Sequence, residues 1–105
     1  NSRIQKFDAT RKSACTWPVT GTTWGPGAYL EPFLAVDKAG NLYATTPTGQ
    51  RVLKYNTATG QVLGEKTSEG AVSLKTATGI TVGADGTIYV VDTGANGVIN
   101  FGKMP

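Results

Sequence analysis

A chain of 105 residues supports one ordinary domain at most. Gly and Pro supply 19 residues and Thr 16, while charged residues reach only 16% against about 25% in an average soluble protein, which points away from helices and toward a turn-rich all-β fold. The net charge is +3, yet basic residues occur singly apart from Arg11-Lys12; with one cysteine, Cys15, and no histidine, this excludes an intrachain disulfide, a multi-Cys metal motif and His-dependent catalysis.

In chain order, Asn1–Phe7 and Ser13–Val19 read as two strands, followed by a loop from Thr20 to Glu31. That loop holds Gly21, Gly25, Pro26 and Gly27 and carries Trp24 and Tyr29. Four strands are then predicted near Phe33–Asp37, Asn41–Thr45, Arg51–Asn56 and Gln61–Lys66, separated by clusters of turn-forming residues. Ala71–Lys75 reads as a minor strand or an ordered loop. Three more strands follow near Gly79–Val82, Thr87–Asp92 and Gly97–Phe101. No segment has helical periodicity, and no run of about 18 apolar residues suits a membrane-spanning helix.

The strands repeat. Gly40 matches Gly86, Leu42 matches Ile88, Tyr43 matches Tyr89, Val52 matches Val98 and Tyr55 matches Phe101, each pair 46 residues apart. Asn1–Phe7 resembles the third strand of that unit, with Phe7 lying 48 residues before Tyr55. Phe33–Val36 and Ile88–Val91 are apolar at both parities, so neither face of these strands suits water. Four-stranded units of about 40–50 residues, covered on both faces by their neighbours, are propeller blades. The blade-packing core expected on this basis comprises Leu34, Val36, Leu42, Tyr43, Val52, Leu53, Tyr55, Ile80, Val82, Ile88, Tyr89, Val98 and Phe101.

Three stretches carry a family resemblance: Pro32–Asp37 with Gly40–Tyr43, Gly86–Gly94, and Asn1–Phe7. With the inter-blade stretch Gly25–Pro32, they make the chain resemble the NHL-repeat family of six-bladed β-propellers. The resemblance implies two and a quarter blades. Residues 1–31 would be the end of one blade plus an inter-blade loop, 32–67 a complete blade, and 68–105 a blade lacking its outer strand. The family's Asp at the end of strand two is present as Asp92 and replaced by Thr46. Its Arg at the start of strand three is present as Arg51 and replaced by Gly97. Any such ion pair is therefore expected between blades or not at all. Some NHL-like lyases use His ligands, and related six-bladed enzymes hold a channel calcium; this sequence offers no matching ligand set, so no cofactor is implied.

An incomplete propeller leaves apolar faces and strand edges bare. The expected partners are other copies of the chain, a trimer being favoured, or the remainder of a parent propeller. A non-catalytic segment that self-assembles or completes a larger propeller is the leading expectation. A scaffold presenting loops to a protein or glycan is an alternative, with Trp24, Tyr29 and Arg51 as candidate binding-face residues. An RNA-binding face using Arg3, Arg51 and Lys54 is a further one. Asp37, Asp85 and Asp92 stand beside turn glycines and are expected to cap turns. The Thr-rich, charge-poor composition leans toward a secreted or cell-surface protein.

Overall fold

The computed structural model describes residues 3–18, 33–46 and 50–104. It is all-β, with no helix among the described residues. Strands β1 (Arg3–Phe7) and β2 (Ser13–Pro18) form a hairpin. Strands β3 (Leu34–Val36), β4 (Leu42–Thr46), β5 (Arg51–Tyr55) and β6 (Val62–Lys66) form a four-stranded antiparallel meander. A small hairpin, β7 (Ser68–Glu69) and β8 (Val72–Ser73), leads to a three-stranded antiparallel sheet of β9 (Ala77–Val82), β10 (Ile88–Asp92) and β11 (Gly97–Asn100). Of the two readings open for residues 71–75, the short strand is the one formed, and the buried Leu74 follows it directly.

The repeat is a repeat of backbone geometry. Gly40 and Gly86 take φ of 87° and 90°, a left-handed conformation that costs a side chain about 1–2 kcal/mol. In the two turns they close, Asp37 N–H donates to Asn41 O at 3.0 Å and Gly83 N–H to Thr87 O at 2.8 Å. Gln50 and Asn96, one residue before β5 and β11, both have φ of 54°. The β1–β2 hairpin copies β5–β6 as well. The register shifts between Lys6 and Phe7 in the first and between Lys54 and Tyr55 in the second. An Asx turn follows each strand, Asp8 Oδ1 accepting from Thr10 N–H and Asn56 Oδ1 from Ala58 N–H, both at 2.8 Å.

Alternation along each strand sends side chains to opposite faces, and other sheets pack on both faces of the four-stranded sheet, on one of them only in part. On one face, Tyr43 and Val52 pack against Ala77, Ile88, Val90 and Phe101 of the three-stranded sheet, with Leu74 and Met104 closing the cluster. On the other, Leu42, Ala44, Leu53 and Tyr55 pack with Ile4 of β1. Small antiparallel sheets stacked in this way are propeller-like blades.

Four residues expected in the core are not buried in the chain. Leu34 and Val36 are 49% and 60% exposed, and Tyr89 and Val98 are also exposed, Val98 at 70%. The register explains all four. Leu34 and Val36 lie opposite Ala44 and Leu42, on the face that meets β1, but β1 and β2 cover only its outer part. Tyr89 and Val98 share the face of Val91, opposite the one carrying Ile88 and Val90, and no sheet is stacked on it among the described residues.

Candidate functional site

The two uncovered faces are the chain's most distinctive surfaces. The first begins at β3. A cavity of about 360 Å³ lies between the β1–β2 hairpin and the four-stranded sheet, lined by Ile4, Gln5, Lys6, Leu34, Val36, Gly40, Leu42 and Thr57. Its wall is mostly apolar, and across it Lys6 Nζ of β1 donates to Thr57 O at 3.1 Å. The second face is the outer surface of β9–β11, where Tyr89, Val91 and Val98 are exposed.

A comparison within the chain shows what the first face lacks. Ile80 and Val82 stand 46 residues after Leu34 and Val36 and occupy the same places on their sheet. Each is partly buried against the cluster holding Tyr43 and Val52 of the preceding sheet. Leu34 and Val36 have the same strand position and no such cover. The residues equivalent to Tyr43 and Val52 are Tyr89 and Val98, and these make up the second uncovered face. The chain thus exposes a surface and that surface's complement.

Asp37, Asp85 and Asp92 are committed to holding turns. Asp92, fully buried, accepts Lys75 N–H at Oδ2 (2.7 Å) and Thr76 N–H at Oδ1 (2.8 Å), and its Oδ1 also receives Gly94 and Ala95 N–H at 3.0 and 3.2 Å. Burial pushes this carboxyl up, but the four backbone donors together outweigh it and leave the group below the ordinary aspartate range. Asp37 is balanced in the same sense: burial raises it, and hydrogen bonds from Asn41 and the Tyr43 hydroxyl lower it further than that. Tyr43 in turn is pushed up to about 12, by burial first and then by its bond to the Asp37 carboxylate. Asp85 caps its own turn through Thr87 N–H at 3.0 Å.

No protein-family model matches the chain, and no curated protein matches its sequence.

Trp24 and Tyr29 lie outside the described residues. Arg51 is half-buried, and its Nη1 donates to Glu65 Oε2 at 3.0 Å across β5–β6. That ion pair sits inside one sheet and is a different pair from the strand-two Asp with strand-three Arg, whose Asp position is Thr46 here. Lys54, a second residue of the expected basic trio, donates from Nζ to Met104 O at 3.0 Å and lies beside the Tyr43 ring. Leu42, Tyr43, Val52, Leu53, Tyr55, Ile88 and Phe101 are buried, and Ile80 and Val82 partly so. Sequence reading missed Met104, whose carbonyl Lys54 holds, and the reach of Asp92 back to Lys75 and Thr76. A lone apolar residue three places after a core Phe was the only trace of the former. An Asp ending a strand shows its near donors in sequence, but its distant ones only in the fold. Among the described residues, no three His, Cys, Asp or Glu side chains gather as a metal site.

Proposed function

We propose that the chain is a non-catalytic, NHL-type propeller segment that functions by assembly, its uncovered sheet faces being completed by other blades. Identical chains supply those blades, and three of them furnish the roughly six blades of a closed ring. The supporting observation is the contrast between Leu34 and Val36, exposed, and Ile80 and Val82, the same repeat positions with a neighbouring sheet against them. A stable interface of standard size buries about 800 Å² per partner, an area of the order a blade face offers. Burying it releases about 25 cal/mol per Å² of apolar surface before the entropy of association is subtracted.

Light scattering on the purified chain tests the reading. The expected mass is three times the 10.9 kDa of one chain. A folded species that stays at 10.9 kDa through the micromolar range overturns self-assembly.

A further inference from the structure

Closure by identical chains raises a problem that the strand registers resolve. Strands β1 and β11 are both third strands of their units, and a blade shared by two copies has room for one of them. We propose that, in the assembly, β11 of one copy takes the place of β1 of the next, pairing with that copy's β2, while β1 is released. The inference rests on the assembly reading above and adds which strands form the shared blade.

Anchoring decides which strand yields. Beyond β11, Phe101 is fully buried, its N–H donates to Ile88 O at 2.8 Å, and Ile88 N–H donates to Gly102 O at 2.7 Å. Lys66 Nζ donates to Phe101 O at 2.6 Å and lies 5.0 Å from the Phe101 ring centroid. Met104 is buried three residues beyond Phe101. By contrast, β1 is held to the four-stranded sheet by Ile4 and by the bond from Lys6 to Thr57 O, and its Phe7 is exposed. Removing β1 uncovers little that β11 does not cover again. Val98, at the repeat position of Ile4 and Val52, would enter the site that Ile4 vacates beside Leu42 and Leu53.

The occupant of the cavity beside β3 is then the β9–β11 sheet of a second copy. Its Tyr89, Val91 and Val98 would lie on Leu34 and Val36 as Tyr43 and Val52 lie near Ile80 and Val82 within one chain. Each copy would contribute one complete blade, β3–β6, and the three inner strands of a second blade closed by the β2 of its neighbour. That is two four-stranded blades per copy, with β1 as the displaced strand. The contact is heterologous and closes when three copies have been joined.

The native cysteine tests the register. In the single chain, Cys15 of β2 faces Lys6 of β1 across the backbone ladder. Asn100 holds the place of Lys6 on β11, so exchange would bring Asn100 of one copy opposite Cys15 of the next. The N100C variant is oxidised at low concentration, its mass is measured in parallel, and a K6C variant serves as the control. Exchange predicts a reductant-sensitive interchain disulfide joining positions 100 and 15 in most of the N100C protein, and little intrachain disulfide in assembled K6C. An assembly that lacks the interchain link in N100C and keeps the intrachain one in K6C overturns the exchange and leaves self-assembly standing. A monomer in every variant and in the unmodified chain overturns both.

Discussion

At the scale of single residues, the fold depends on a few side chains whose surroundings are fully determined. Leu53 is 2% exposed and packed among Ile4, Leu42, Ala44 and Tyr55. Truncation there both removes transfer energy and leaves a cavity, so Leu53→Ala is expected to cost about 2–5 kcal/mol in urea unfolding. A loss below about 0.5 kcal/mol would place the residue on a surface. Asp92 is the polar counterpart. Its carboxylate holds the entry to β9 against the turn after β10 through four backbone N–H groups. Because its folded pKa lies below the ordinary 3.8, the folded state favours the charged form. The resulting stability is fully present above 3.8 and is lost as pH falls through the folded value. Asp92→Asn turns an amide N–H₂ toward backbone donors. It should cost about 1–3 kcal/mol at neutral pH and make the acid limb of a stability–pH profile shallower. A profile as steep as the parent's would show that other carboxylates carry the acid dependence.

At the scale of elements, turns and strand types were written openly in the sequence. Gly40 and Gly86, at equal spacing from Tyr43 and Tyr89, announced the two equivalent hairpins, and the backbone repeats them with nearly equal φ. What was not legible was how far each strand is covered. Leu34 and Ile80 look alike in sequence because burial depends on whether the preceding sheet has its inner strands, which no local pattern records. The same limit hid Met104 and the long reach of Asp92. The β1–β2 hairpin is weakly anchored by this measure, since among the described residues Ile4 is the side chain that ties it into a core. Its amides should exchange with solvent at least tenfold faster than those of β4, β5 and β10, measured by hydrogen exchange on the monomeric fraction. Arg11 supplies a second handle on this hairpin. It holds a φ of 68° at the place where β5–β6 uses Gly60 at 75°. Arg11→Gly removes the left-handed strain and is expected to stabilise the hairpin by about 0.5–1 kcal/mol, read as slower exchange confined to β1 and β2.

At the scale of the whole molecule, the two ends of the stack are complementary, and a pair of matched substitutions separates folding from assembly. Val36 and Ile80 lie on equivalent faces of their sheets, with Leu34 beside the first and Val82 beside the second. A lysine at position 80 must place its charge against the apolar cluster of Tyr43, Val52 and Ile88. Ile80→Lys should therefore destabilise the single chain by several kcal/mol, or abolish its folding. A lysine at position 36 meets water in the single chain, because that residue is 60% exposed. Val36→Lys should leave the circular dichroism spectrum and the urea midpoint of the monomer nearly unchanged, yet weaken association at least tenfold by light scattering. If both variants unfold alike, the first face is covered within the chain itself and the open stack is wrong. If Val36→Lys folds and still associates as tightly as the parent, the contact between copies lies elsewhere. Equal chemistry on equivalent faces, with unequal consequences, is the behaviour an open stack of sheets produces.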